Sequence, residues 1–241
     1  MANPTAAMLV IGDEILSGRT RDANMYHLAG VLNEAGIDLR EVRVVSDKRH
    51  AIVDAVRALS TAYDHVFTSG GIGPTHDDIT ADCIAEAFSR ALDVREDAHA
   101  LLVAHYAKSG LELNDARLRM ARIPDGATLI DNPVSIAPGF TLENVHVMAG
   151  VPSVFKAMVA SVVPTLTGGA PLVSKTLRVN RGEGDIAGPL GVLAGKYPHL
   201  SMGSYPFQRK SGKYGSNVVI RGEHADDVSA AITELQRVLE V

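Results

Sequence analysis

Apolar runs suited to buried strands alternate with helix-like apolar stripes along the first two thirds of the chain. The strand-like segments are residues 7–11, 39–45, 65–68 and 145–148. A continuous apolar run that ends at a glycine, as the first one does at Gly12, is typical of a strand buried on both faces of a parallel sheet. Helix-like stripes begin near Met25, Ile52, Ile84 and Val154. This alternation predicts a three-layer α/β domain, a parallel sheet with helices on both faces.

The rest of the chain predicts an insertion and a second, smaller module. Residues 93–118 form two helical stretches that break at Ser109-Gly110. Two glycines and a proline at residues 167–171 predict a linker. We therefore expect a domain at residues 1–168 and a small α+β module at residues 172–241. The strands of this module lie near residues 176–179 and 218–220, and its last helix covers residues 225–239.

Charge and composition exclude several classes of protein. The chain has 241 residues with 23 Lys+Arg and 28 Asp+Glu, a net charge of −5, whereas nucleic-acid binding needs a net basic surface. Its single cysteine, Cys83, excludes an intramolecular disulfide and a thiolate zinc cluster, and core packing is the simplest role for it. No apolar stretch reaches the ~18 residues of a membrane span, and no signal peptide is evident. We expect a cytoplasmic protein without nucleic-acid or membrane partners.

Three loops leave predicted strands at the carboxyl edge of the sheet, where ligands of open α/β sheets bind. They are residues 12–18, 70–80 and 150–152, and a fourth, residues 132–140, is rich in turn residues but not obviously placed at that edge. Gly70, Gly71 and Gly73 would let the backbone approach an anion ahead of a helix. Their spacing matches neither a Walker loop nor a dinucleotide fingerprint, so the glycines alone indicate phosphate only weakly.

The acidic residues beside these glycines point to a metal or to helix capping. Asp77 and Asp78 would repel a phosphate unless a cation lies between, and Mg²⁺ takes one or two carboxylates plus substrate phosphates. Thr75 and Asp78 also match a capping box, which would merely satisfy helix N–H groups. Asp13 and Glu14 follow the first strand and would either cap the next turn or face the cleft.

Other polar residues near the loops have simpler interpretations. Asp22 and Asn24 stand where a helix begins, which favours N-capping for both. A single loop histidine such as His76 is more often neither a phosphate ligand nor an acid. The remaining histidines show no metal-ligand spacing.

Taken together, the motifs resemble the molybdopterin-binding domain of competence/damage-inducible protein A, within the superfamily of molybdenum-cofactor biosynthesis that includes molybdopterin adenylyltransferase. The motifs are Gly12-Asp13-Glu14-Ile15-Leu16-x-Gly18, Asp22-x-Asn24, Gly70-Gly71-Ile72-Gly73-Pro74-Thr75-x-Asp77-Asp78-Ile79-Thr80, Asn132-Pro133, Ala137-Pro138-Gly139 and Gly150-Val151-Pro152. The resemblance covers about residues 5–166. The tail resembles the KH-like module that follows this domain, although Gly212-Lys213-Tyr214-Gly215 is a poor candidate for an RNA-binding loop.

The resemblance implies a site for molybdopterin or a nucleotide diphosphate at the strand ends. It implies divalent-metal-dependent pyrophosphatase activity on ADP-ribose or FAD-like dinucleotides, with Mg²⁺ or a similar cation held by Asp77 and Asp78. Expected catalytic residues are Asp78, Asp77, Asp13 and Glu14, and the adenylyltransferase branch carries a catalytic aspartate at the position of Asp78. Expected ligand-binding residues are Gly12, Gly70, Gly71, Gly73, Thr75, Pro138, Gly139, Gly150 and Pro152.

Three positions depart from the resembled pattern and leave the activity open. Ser135 stands where relatives have Gly, Ala149 where they have Pro, and Val154 where they have Glu, which removes a carboxylate near the pocket. The alternatives are a non-catalytic pterin-binding protein and nucleotidyl transfer of the adenylyltransferase type. Homo-oligomerisation is expected, and the deamidase domain of longer relatives is not part of these 241 residues, so no nicotinamide-nucleotide deamidation is expected.

Overall fold

The computed structural model describes residues 2–208, 212 and 214–241, so Lys213 of the glycine string in the tail lies outside the described residues. The strands are β1 (Thr5–Ile11), β2 (Asp38–Val45), β3 (His65–Ser69), β4 (Leu92–Val94), β5 (Arg122–Pro124), β6 (Thr128–Ile130), β7 (Gly139–Leu142), β8 (Val145–Met148), β9 (Val173–Val179), β10 (Ser201–Gln208) and β11 (Tyr214–Gly222). The helices are α1 (Asp13–Leu16), α2 (Asn24–Glu34), α3 (Arg49–Ala62), α4 (Thr80–Ala87), α5 (Glu96–Ser109), α6 (Asp115–Leu118), α7 (Pro152–Val162), α8 (Glu183–Lys196) and α9 (Ala225–Leu239). They divide into two units, Met1–Gly169 and Ala170–Val241.

A six-stranded sheet in the order β2-β1-β3-β8-β7-β6 forms the centre of the first unit. The pairs β1–β2, β1–β3 and β3–β8 are parallel, as the sequence predicts. The pairs β7–β8 and β6–β7 are antiparallel, which differs from the expected all-parallel sheet. Strands β6 and β7 are short and adjoin the turn-rich residues 132–140. Their local sequence pattern therefore does not indicate whether they run parallel or antiparallel to their neighbours.

Helices cover both faces of this sheet and confirm the three-layer α/β architecture. On one face Ile52 of α3 and Ile84 of α4 pack in a core cluster with Leu9 of β1. On the other face Leu28 of α2 and Phe155 of α7 pack in a separate cluster with β1 residues of the opposite parity. Successive residues of a strand point to opposite faces, so the continuous apolar run of β1 supplies both clusters.

The insertion between the central strands contains the two predicted helices and a small hairpin-like pair. Helix α5 ends at Gly110, which adopts a left-handed conformation with φ 68°, and α6 follows after a short connection. The break predicted at Ser109-Gly110 is therefore confirmed, and its cause is the left-handed C-terminal residue. Strands β4 and β5 pair antiparallel on either side of these helices.

The second unit is an antiparallel sheet in the order β10-β11-β9 with α8 and α9 against one face. Helix α9 spans the residues that the sequence predicts. The sequence does not predict helix α8 or strand β10. Glycines and the internal Pro189 interrupt the apolar pattern of α8, and a glycine and a proline interrupt the pattern of β10. Among the described residues no helix is both long and apolar enough to cross a membrane.

Candidate functional site

A cavity of about 570 Å³ lies at the carboxyl ends of β1, β3 and β8. Three of the four loops singled out from the sequence line it at several positions, and the first contributes Glu14. The backbones of two loops touch at its base, where a Cβ on Gly150 would lie 3.3 Å from the Cα of Gly70. The parallel strands thus bring together loops that are far apart in the sequence, such as those of Glu14 and Pro152.

The structure brings most of the predicted site residues to this cavity. Those that line it are Glu14, Gly70, Gly71, Gly73, Asp77, Asp78, Gly150 and Pro152. Gly12, Asp13, Thr75, Pro138 and Gly139 do not line it. Gly12 lies beneath the Glu14 carboxylate, and Gly139 packs at the start of β7, where a Cβ would lie 2.4 Å from the Val147 carbonyl oxygen.

The glycine loop, residues 70–80, folds back onto the start of α4. Gly70 and Gly71 have φ values of 113° and 70°, in the region that favours glycine. The Thr80 hydroxyl donates to the Gly70 carbonyl at 3.0 Å, and the Thr80 N–H donates to the Gly71 carbonyl at 2.9 Å. In the part of the chain that the structure describes, the N–H groups of Gly71, Ile72 and Gly73 donate to no protein acceptor.

Thr75 and Asp78 form a turn within the glycine loop and not a helix cap. Helix α4 begins only at Thr80, two residues later, and has no side-chain cap. An Asp78 carboxylate oxygen accepts from the Thr75 N–H at 2.8 Å and from the Thr75 hydroxyl at 2.5 Å. The capping-box interpretation is therefore wrong.

Asp47 is a cavity residue that the sequence reasoning missed. It lines the cavity and accepts a hydrogen bond of 2.8 Å from the backbone N–H of Asp13. Burial, and then the negative charges of Asp13, Glu14 and Asp77, raise the pKa of the Asp47 carboxyl, although its bond to the Asp13 N–H acts in the opposite direction. Its position two residues beyond β2, at the same edge of the sheet, is the signal that could have identified it.

The cavity carries concentrated negative charge. Glu14, Asp47, Asp77 and Asp78 all line it, and no Lys, Arg or His stands among its described lining residues. Within residues 2–208, 212 and 214–241, no group of three or more His, Cys, Asp or Glu side chains is arranged to hold a metal ion by itself. A cation could therefore be held by one or two carboxylates together with oxygens of a ligand.

Asn24 braces the cavity loops instead of capping a helix. It is 3% exposed, and its amide nitrogen donates to the Ser69 hydroxyl and to the Gly150 carbonyl, both at 2.8 Å. The capping role expected for Asn24 is wrong, whereas Asp22 does cap α2 by accepting from the Met25 N–H at 2.9 Å. Asn24 thus ties α2 to the ends of β3 and β8.

The fourth loop, residues 132–140, reaches the cavity after all. Asn132 is buried, and its side-chain oxygen Oδ1 accepts from the N–H groups of Val134 and Ser135. Its amide donates to the Ser135 hydroxyl at 2.7 Å and to the Ala137 carbonyl at 2.8 Å. This internal network holds the loop in one shape, and Asn132, Ser135 and Ala137 line the cavity.

Comparisons with known proteins match both units to known families. Residues 7–168 match the family described as probable molybdopterin binding domain, and residues 171–241 match the middle domain of FAD synthase. A probable FAD synthase of Caenorhabditis elegans is 32% identical over 260 residues, which cover 98% of this chain and 50% of that protein. A protein of Archaeoglobus fulgidus is 30% identical over 233 residues and 96% of each chain.

A solved structure shares the fold of the first unit. The crystal structure of CinA, a protein of unknown function from Thermoplasma acidophilum, is 33% identical and superposes with a TM-score of 0.63. It covers 68% of this chain and 99% of that one. The chain thus spans about half the length of its worm relative and nearly the whole of its archaeal one.

Proposed function

Since the chain belongs to the family of probable molybdopterin binding domains, we propose that its cavity binds the phosphates of a nucleotide or pterin together with a divalent cation. The similarity of residues 171–241 to the middle domain of FAD synthase supports a nucleotide-related function. The proposed reaction is hydrolysis of the phosphoanhydride of ADP-ribose or an FAD-like dinucleotide.

The glycine loop supplies the phosphate-binding groups of this proposal. Three successive N–H groups, those of Gly71, Ile72 and Gly73, have no acceptor among the described residues. Successive free N–H groups around a left-handed residue form a concave site for an anion. A phosphate oxygen is the acceptor that would satisfy them.

The observation that carries the cation requirement is the charge of the cavity. Four carboxylates line it without any basic side chain among the described lining residues, so these side chains would repel a phosphate that enters alone. Asp77 and Asp78 lie beside the free N–H groups and would hold the cation. A bound divalent cation would neutralise phosphate charge and polarise the anhydride.

Asp47, which lines the same cavity, would handle the water and its proton. Asp47 is fixed by the Asp13 N–H, so Asp13 contributes through its backbone and Asp47 through its carboxylate. In the proposed hydrolysis the water oxygen forms a bond to phosphorus, the anhydride P–O bond breaks, and Asp47 takes the proton of the water. ADP-ribose would yield AMP and ribose 5-phosphate.

The presence of Val154 in the cavity favours a second candidate function, binding of a ligand without catalysis. Val154 is a buried residue of α7 that lines the cavity, at the position where the resembled family carries a glutamate. An apolar side chain there can neither ligate a cation nor transfer a proton. The same loops would then bind a pterin or nucleotide without turnover.

A screen of ADP-ribose, FAD and a pterin phosphate with Mg²⁺, Mn²⁺ and Co²⁺ tests the proposal. We expect a thermal shift that needs both ligand and cation, and AMP as a product identified by chromatography. The double change Asp77→Asn and Asp78→Asn should reduce turnover at least 100-fold, whereas Asp125→Asn, an exposed aspartate outside the cavity, should leave it unchanged. Binding without products would support the second candidate, and unchanged turnover in the double variant would refute the metal assignment.

A further inference from the structure

A second cavity of about 60 Å³ adjoins the main one. The two share the wall residues Ile11, Glu14, Thr20, Gly150 and Pro152. The side cavity adds Arg21 and Asn24, which do not line the main cavity. It therefore offers different chemistry to any ligand that extends into it.

Asn24, which lines this side cavity, carries an acceptor without a donor. Its amide nitrogen is committed to the Ser69 hydroxyl and the Gly150 carbonyl, and because the latter can only accept, the orientation of the amide is fixed. Its amide oxygen is buried and has no hydrogen-bond partner in the described part of the chain. A buried acceptor left unpaired is destabilising, so a donor from a ligand would relieve a penalty already present.

Three charged residues line this side cavity, and one of them, Asp22, is engaged by the Met25 N–H at 2.9 Å. Glu14 lines both cavities and adds a second acceptor, whereas the exposed Arg21 makes no ion pair among the described residues and can only donate. A phosphate has no hydrogen for Asn24 and is repelled by Glu14, and an ammonium group cannot accept from Arg21. A hydroxyl both donates and accepts, and neighbouring hydroxyls can meet Glu14, Arg21 and Asn24.

We propose that Glu14, Arg21 and Asn24 form a subsite for the vicinal diol of a sugar carried by the phosphate ligand. The inference rests on the proposed function, because it places the sugar beside the phosphates bound in the main cavity. Beyond the proposed function, the inference identifies the chemical group of the ligand that the side cavity would bind. The diol belongs either to the sugar beyond the diphosphate or to the ribose of the nucleoside.

Calorimetric titrations with Mg²⁺ and three compounds distinguish these sources. ADP-ribose against ADP reports the terminal sugar, and ADP against 2′,3′-dideoxy-ADP reports the nucleoside ribose. The subsite should strengthen binding of the diol-bearing member of one pair at least tenfold. Equal affinities within both pairs would overturn the proposal, and absence of binding by every compound would instead refute the proposed function and this subsite with it.

Matched variants separate recognition of the diol from a structural role. Arg21→Gln should abolish most of the tenfold preference, whereas Arg19→Gln, two positions away and outside both cavities, should retain it. Asn24→Ala should also abolish the preference. If Arg21→Gln and Asn24→Ala weaken compounds with and without the diol by the same factor, Asn24 only braces the loops and a water satisfies it, which contradicts the proposal.

Discussion

The glycines of the glycine loop are required for packing inside the protein, and not only for binding a ligand. A Cβ on Gly70 would lie 2.3 Å from the Ile11 carbonyl oxygen, and one on Gly71 would lie 2.1 Å from the Thr80 hydroxyl oxygen. A Cβ on Gly73 would lie 2.6 Å from an Asp78 carboxylate oxygen, so a larger residue there displaces that carboxylate as well as any phosphate. Close packing of the glycines against neighbouring atoms therefore fixes the shape of the loop that carries the free N–H groups.

Replacing Gly71 with alanine tests this packing. The variant combines left-handed strain with displacement of the Thr80 side chain, and we expect it to lower the free energy of unfolding by about 2–4 kcal/mol. Gly18→Ala is the matched control, since Gly18 has φ 72° but nothing within 4 Å of a new Cβ, and it should cost only about 1–2 kcal/mol. Denaturant unfolding measures both, and equal losses would contradict the packing argument.

Asp78 offers a residue-scale test of the metal role. Asparagine keeps an oxygen that can accept from Thr75, so Asp78→Asn should change the free energy of unfolding by less than about 1 kcal/mol. Mg²⁺-dependent binding of ADP-ribose should fall more than tenfold, because a carboxylate ligand is lost. Titration and chemical denaturation of the same sample measure the two effects, and lost stability with intact Mg²⁺-dependent binding would reject the metal role.

At the scale of elements, three strands of the central sheet are joined by contacts of the buried His146 and the half-buried His65. His146 of β8 lies 3.0 Å from the Thr141 hydroxyl of β7 through Nδ1, and 3.3 Å from Nδ1 of His65 of β3 through Nε2. Burial, and then the neighbouring His65, lower the pKa of His146 to about 3, and burial also lowers the pKa of His65. The two rings remain neutral in the folded sheet at physiological pH.

This pair predicts a pH dependence of stability. In the unfolded chain the pKa of His146 is near the ordinary histidine value of 6.5, so between pH 6.5 and about 3 the unfolded state binds more protons. The free energy of unfolding should therefore fall as pH decreases through this window, by up to about 1.4 kcal/mol per pH unit for His146. His146→Gln should reduce the slope measured between pH 6.5 and 5, whereas His50→Gln on the exposed face of α3 should not. Equal slopes in all three proteins would contradict the prediction.

At the scale of the whole molecule, the two units have separate cores. The clusters on the two faces of the large sheet belong to Met1–Gly169, and the cluster of the antiparallel sheet belongs to Ala170–Val241. Every residue that lines either cavity of the site lies in the first unit. The proposed chemistry therefore depends on side chains of this unit alone.

Ending the chain after Gly169 tests this independence. Because the first unit keeps both of its core clusters, we expect the shortened chain to unfold cooperatively. Its affinity for ADP-ribose with Mg²⁺ should remain within about threefold of the full chain, since no lining residue is lost. Circular dichroism melts and titration check the two expectations, and a folded fragment without affinity would show that the second unit contributes to binding.

The sequence by itself determined the elements whose signal is local. Strand β8 and helix α9 have the bounds that the pattern predicts, and the three layers follow from runs and stripes of a few neighbouring residues. Burial of Cys83, with its pKa raised to about 11 by burial, agrees with its place beside a helical stripe. The motif strings of the loops likewise lie within short stretches of the chain, so the family resemblance could be recognised from them.

Only the tertiary structure decided which distant groups meet. The Asp47 carboxylate accepts from the N–H of Asp13, 34 positions away, and the Asn24 amide donates to the Gly150 carbonyl, 126 positions away. The reversed direction of β7 in the sheet and the position of the Asn132 loop at the cavity were likewise decided only by the tertiary structure. Hydrophobic periodicity reports which face of an element is buried, but not which segment it faces, because strand order and polar contacts arise only when the whole sheet assembles.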